Sequence, residues 1–192
     1  APGEVTWPTQ PRPIKGRISR DQMRRSEVSK ITPEAEKYCT ETFDKSFQAG
    51  PYTPYSMVPA MVFPGSEAGI SWAGVATDPI NRLLFVNHRD LAVIAQLQPS
   101  TSSGVLPSFG KSKVPTTFWV DPSGYPCSAP PWSELVAMSL ETGDEVWRVP
   151  LGEYPELTAK GILGTGGAHN DGGPIATAGG LVFIGVSPDS KF

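Results

Sequence analysis

Apolar and polar positions alternate in short bursts along most of this chain, and one stretch shows a helical period instead. That stretch runs from Ile31 to Phe47. Thr32 is a good N-cap, Pro33 suits the first helical position, and Glu34 and Glu36 sit near the positive end of the helix dipole. Tyr38, Phe43 and Phe47 form an approximate apolar stripe, and Gly50-Pro51 stops it, so the pattern predicts a helix over 33–47. Before it, residues 1–20 are rich in proline and basic side chains and read as an extended, loosely attached arm. After it come strand signals: 56–63, 74–77, 83–87, 91–97, 134–140, 145–150, 174–178 and 181–185. The turns between them carry suitable residues. Asp78-Pro79-Ile80-Asn81 joins the third run to its predecessor, Glu141-Thr142-Gly143-Asp144 makes a hairpin, and Gly179-Gly180 makes another. Between about 99 and 130 lies a long Ser-, Pro- and Gly-rich excursion, unusual in a compact domain unless it has a task.

A weak internal repeat organises these strands. "GVAT", a turn and "LFV" (74–86) are echoed by "GPIAT", a turn and "VFI" (173–184). Between the copies stands "AMSLETGDEVW" (137–147), two strands around a Thr-Gly turn. The order strand, turn, strand, excursion, strand, turn, strand is that of one four-stranded antiparallel propeller blade. The second copy has only two strands before Phe192. The expected fold is therefore all-β, a partial β-propeller with one short helix and long excursions. Residues 1–55 form arm plus helix, and 56–192 form blades of which the last is truncated and needs further chain to cover its edges.

Composition agrees with a turn-rich β chain: 21 Pro, 20 Gly and 18% charged residues among 192. The net charge of −3 offers no basic face for nucleic acid. No run of about 18 apolar residues is present, and no signal-peptide pattern opens the chain. Cys39 and Cys127 are too far apart for a CxxC motif; they are either two buried thiols or one disulfide, according to compartment. Nucleotide-binding and GxSxG patterns are absent, and Gly164–Gly167 precedes a strand rather than the helix that a phosphate loop requires.

"SLETGDEVWRVPLG" (139–152) resembles the tryptophan-docking repeat of dehydrogenases dependent on pyrroloquinoline quinone (PQQ). Further stretches resemble the membrane-type glucose dehydrogenase branch, with its polyol and quinate relatives: "PTQPRPIK" (8–15), "PYTP" (51–54), "GISWAGVATDPINRLLFVN" (69–87), "GYPCSAPPW" (124–132) and "GGAHNDGGPIATAGGLVFIG" (166–185). The resemblance implies an eight-bladed propeller holding PQQ near its axis with a metal ion, usually Ca²⁺. It implies oxidation of a sugar or alcohol hydroxyl, with electrons passing to a quinone or cytochrome, and a bacterial periplasmic location with any membrane anchor outside this stretch. In such a setting Cys39 pairs with Cys127. The family's general-base Asp, its Lys and its metal ligands lie upstream of the matching segment, so no catalytic or metal-ligating residue is assigned here, and the remaining blades are expected from upstream chain.

Three positions carry the expected cofactor contacts. Ser71 and Trp72 occupy the place of the family's Asn-Trp pair, and Ser71 offers a shorter side chain with one donor where the amide has two. A contact there is weakened, lost or bridged by water. Taken alone, Trp72 reads first as an inter-blade packing residue and second as a cofactor contact. Asn170, among glycines that let backbone come close, matches an Asn near PQQ; a turn Asn is the plain alternative. His169 and His88 read as surface or turn residues, Asp78 as a turn former, and Trp132 and Trp147 as blade packing. The competing function is a non-catalytic propeller, a scaffold or binding module sharing the repeat without cofactor.

Overall fold

A computed structural model of the chain describes residues 9, 11, 14–50, 53, 55–66, 68–96, 118–185 and 189. Most of the expected arm, much of the excursion after 96 and the end of the second repeat lie outside the described residues.

Helix α1 spans Pro33–Asp44, and the Thr32 hydroxyl accepts the Ala35 amide at 3.0 Å, as the cap signal predicts. The helix ends before Phe47 because that residue is drawn into backbone bonding. The Phe47 amide donates to the Pro59 carbonyl, and the Phe47 carbonyl accepts from Met61. Its buried face is also not the predicted stripe. Ala35 and Cys39 are buried and Phe43 packs behind them, whereas Tyr38 and Phe47 are exposed. The 35, 39, 43 spacing of four is the true inner face.

Strands β1 (Ala60–Val62) and β4 (Val93–Ala95) form a small antiparallel pair. Both are shorter than the apolar runs that announced them. The main sheet contains β2 (Gly69–Asp78), β3 (Leu83–Arg89), β5 (Ser133–Ser139) and β6 (Glu145–Pro150), antiparallel throughout and in the order β2-β3-β5-β6. This is the four-stranded blade expected from the repeat. β2 runs five residues earlier than predicted, past a bulge between Ile70 and Val75 that contains Gly74 at φ 99°. Its turn is held by Asp78, whose carboxylate accepts the amides of Ile80 and Asn81. A short helix α2 (Pro155–Thr158) follows, then a hairpin of β7 (Ile175–Ala176) and β8 (Val182–Phe183). That hairpin opens the second repeat and packs on the first: Ala176, Val182 and Ile184 lie against Phe85, Leu135 and Ala137, with Trp147 at 5.8 Å from the Phe85 ring.

Two other clusters surround the blade. One holds Trp132, wholly buried, with its indole N–H donating to the Ser128 carbonyl at 2.7 Å and Tyr125 stacked upon it. The other joins Met23 and Val28, between the arm and α1, to Cys39, Met61, Phe63, Trp119 and Cys127. Cys39 and Cys127 form a disulfide, with Cα atoms 5.3 Å apart. The arm is not loose from Ile18 onward: Arg20 pairs with Asp90 and Glu27 and lies over the Phe63 ring. Arg20 thereby ties the arm to Asp90 of the body, whereas Arg17 pairs locally with Asp21 on the surface.

The disulfide closes a loop of 88 residues, so replacing both cysteines with serine is expected to cost about 4–5 kcal/mol of stability. Urea unfolding checks this, and coincident curves for the two proteins would contradict it.

Candidate functional site

β3 is buried on both faces over its second half. Phe85, Val86, Asn87, His88 and Arg89 are all at most 5% exposed. Since side chains alternate along a strand, Asn87 and Arg89 share one face and His88 takes the other. Three consecutive buried polar groups need partners, because an unpaired one costs its full desolvation. Each finds partners, on opposite sides of the sheet, although Asn87 Oδ1 and Arg89 Nε are left without one among the described residues.

On the first face lies the glycine-rich segment that precedes β7. Asn87 Nδ2 donates to the carbonyls of Asn170 (2.8 Å) and Gly172 (2.7 Å), and Arg89 donates to the Asp171 carboxylate at 2.6 Å. Glycines permit the approach. A Cβ on Gly173 would stand 2.7 Å from the Ala73 carbonyl oxygen, and one on Gly166 would stand 2.4 Å from the Ser133 carbonyl oxygen. The segment is thereby laid against β2 beside Ser71 and Trp72.

The predicted cofactor residues are thus brought into neighbouring pieces of backbone, each with its own character. Trp72 projects outward and is 86% exposed, so it packs on nothing among the described residues. Asn170 is fully buried, and its Nδ2 donates inward to the Leu151 carbonyl at 2.8 Å. Its donor half is therefore used within the chain, while Oδ1 is buried without a partner among the described residues, as is Asn87 Oδ1. The Ser71 side chain lies outside the described residues. His169 is exposed with its ring 5.6 Å from Phe118.

On the second face His88 corrects its sequence reading: it is 1% exposed, not a surface or turn residue. Its Nε2 lies 2.9 Å from the Ser19 hydroxyl of the arm. Its Nδ1 lies 3.5 Å from Glu134 Oε2 on β5 and 3.4 Å from Arg148 Nη1 on β6. Arg148 donates to Glu134 at 2.5 Å, to Glu145 at 2.8 Å and to the Ile18 carbonyl at 3.2 Å. Ile18, His88, Glu134 and Arg148 line a cleft of about 400 Å³ with Arg20 and Asp90. Burial pushes the Glu134 carboxyl up, but hydrogen bonding from His88 and Arg148 and the Arg148 charge outweigh it, leaving the carboxyl below its ordinary range. Among the described residues no group of three His, Cys, Asp or Glu side chains could hold a metal ion.

Asn87, Arg89, Glu134 and Arg148 were missed from sequence. The available signal was a polar triplet, Asn-His-Arg, ending an apolar strand with no turn residue between.

The family described as glucose/ethanol/alcohol dehydrogenase (PQQ), beta-propeller domain, matches residues 1–192. The chain is 31% identical over 210 residues to a quinate/shikimate dehydrogenase (quinone) of Acinetobacter baylyi, covering 98% of this chain and 26% of that protein. It is 27% identical over 217 residues to a quinoprotein glucose dehydrogenase of Escherichia coli, covering 99% and 26%. It is 26% identical over 220 residues to a glycerol dehydrogenase large subunit of Gluconobacter thailandicus, covering 99% and 30%. The chain thus spans about a quarter of the length of the curated relatives it matches. No solved structure matches it.

Glu134 is held ionised by the fold, so the stability it adds is present above the unfolded carboxylate pKa, about 4.3, and is lost as pH falls through its lower folded value. Thermal melts from pH 7 to pH 3 should fall in acid, and Glu134→Gln should flatten part of that fall. Parallel profiles for the two proteins would contradict the assignment.

Proposed function

The chain belongs to the PQQ-type glucose/ethanol/alcohol dehydrogenase β-propeller family, and on that premise we propose that it forms part of the propeller of a periplasmic dehydrogenase. That enzyme oxidises a polyol, alcohol or aldose hydroxyl and passes electrons to a quinone or cytochrome. The observation that carries this reading is the juxtaposition of β2 with the glycine-rich segment 166–173. There Gly173 meets the backbone of Ala73, next in the chain to exposed Trp72, and three residues before Gly173 stands Asn170 with its orphaned Oδ1.

These residues fit one wall of a site for PQQ, a flat, polar-edged molecule. Trp72 offers an aromatic face that no described residue covers, suited to a planar ring. Asn170 Oδ1 can accept a hydrogen bond, and Gly172 and Gly173 keep side chains out of the way. Ser71 precedes Trp72 on β2, and the resemblance gives its hydroxyl the place of the family's amide donor. PQQ, when bound, supplies the two-electron acceptor for oxidation of the carbinol carbon. This chain's share is to orient that group and to shield one side of it. The base that removes the hydroxyl proton and the carboxylates for Ca²⁺ are assigned to other blades. The relatives named above include quinate, glucose and glycerol dehydrogenases, so the substrate class is a hydroxyl-rich small molecule.

A site built around a propeller axis needs groups from many blades, and catalysis depends on those groups being held together. The isolated chain, mixed with PQQ, Ca²⁺, a dye acceptor and a panel of aldoses and polyols, is therefore expected to show no turnover. Activity is expected to appear when the remaining blades are supplied. Robust turnover by the isolated chain, abolished by Asn170→Ala, would overturn this reading.

A further inference from the structure

We infer that Asn87 is a positioning residue for the cofactor wall, holding the Asn170–Gly172 segment in place against the sheet; the inference rests on the function proposed above. Its side chain is fully buried at the centre of the blade. β3 is hydrogen-bonded on both sides, in register with β2 through Val86↔Val75 and with β5 through Asn87↔Leu135. The backbone that bears Asn87 is therefore fixed, and a two-dihedral side chain adds little freedom to it.

The geometry determines the amide orientation. Both near neighbours, the Asn170 and Gly172 carbonyls at 2.8 and 2.7 Å, are acceptors, so the NH₂ group must face them. One rigid group thus grips two carbonyls two residues apart. Arg89, on the same face, grips the Asp171 side chain between them. Three consecutive residues of the segment are each held from β3. Leu151 anchors the Asn170 amide from a different element, and Ala73 receives Gly173 edge-on.

This grip is separable from the fold. The hairpin beyond the segment packs independently, through Ala176, Val182 and Ile184 on Phe85, Leu135 and Ala137. Loss of the Asn87 donors leaves that apolar contact intact but strands the buried Asn170 carbonyl and the half-buried Gly172 carbonyl. The segment is then expected to shift toward water at the very place where it faces the cofactor. A general structural role would instead appear as lost stability with unaltered binding by the folded protein.

The test uses the complete dehydrogenase. Asn87→Leu removes both donors at similar volume, and Asn87→Gln keeps the amide on a longer arm. For each, the PQQ dissociation constant is measured on refolded, cofactor-free protein with Ca²⁺ present, together with the melting temperature of that cofactor-free form. Asn87→Leu is expected to weaken PQQ binding about tenfold or more, and Asn87→Gln by a smaller factor. The melting temperatures should not follow that order. If Asn87→Leu does not fold, Asn87→Gln and Arg89→Lys carry the comparison. Wild-type binding with equally tight binding by the folded variants overturns this inference and leaves the proposed function standing. Failure of the wild type to bind PQQ overturns both.

Discussion

Three adjacent polar side chains on a strand buried from both sides impose the constraint on which this structure turns. Asn87, His88 and Arg89 cannot face water, and a sheet interior offers them only neighbours. Alternation sends them to opposite faces, so two different parts of the chain must come to meet them. The glycine-rich segment answers Asn87 and Arg89, and the N-terminal arm answers His88 through Ser19. Arg148 extends the second face by bridging Glu134 to the Ile18 carbonyl. An ordinary apolar strand end would have needed neither partner. The N-terminal stretch would then lose its hold on the middle of the sheet and keep the contacts of Met23, Val28 and Arg20 and its backbone bonds to Cys127 and Ala129, and the segment would keep its glycine contacts and its bonds to Leu151.

Much of the blade was legible because its signals are local. Period-two alternation located β3, β5 and β6, and turn chemistry at Asp78, Gly143 and Gly180 fixed the hairpins β2–β3, β5–β6 and β7–β8. What escaped depends on contacts distant in sequence. The predicted helix overran to Phe47 because nothing near that residue shows that Pro59 and Met61 will claim its backbone. The helix's inner face was misjudged because aromatic size outweighed the small residues Ala35 and Cys39 that fit against the core. His88 was read as a surface residue because its partners come from positions 19, 134 and 148. At the candidate site, the resemblance assigned Trp72 and Asn170 to the cofactor, but no local signal told that the Asn170 amide would turn inward to Leu151.

The outer faces tell a complementary story. Trp72, Ile175, Leu181 and Phe183 are large, apolar and at least half exposed, and they cluster on β2 and the β7–β8 hairpin. In a single blade these surfaces have nothing to pack on. The family to which the chain belongs is a β-propeller, in which blade stands against blade, and such contacts would cover apolar area of this kind.

The disulfide also sets an order of events during synthesis. Cys39 emerges 88 residues before Cys127, so α1 must wait as a free thiol while β1 to β4 appear. The β2–β3 hairpin lies wholly inside that interval and can pair before the covalent ring exists. β5 begins at Ser133, six positions beyond Cys127, so its pairing with β3 and the sealing of the ring become available almost together. The half-made blade therefore presents an unfilled strand edge on β3 for the same interval in which its cysteine is unprotected, and a single short stretch of newly made chain, from Gly124 to Ser139, ends both exposures.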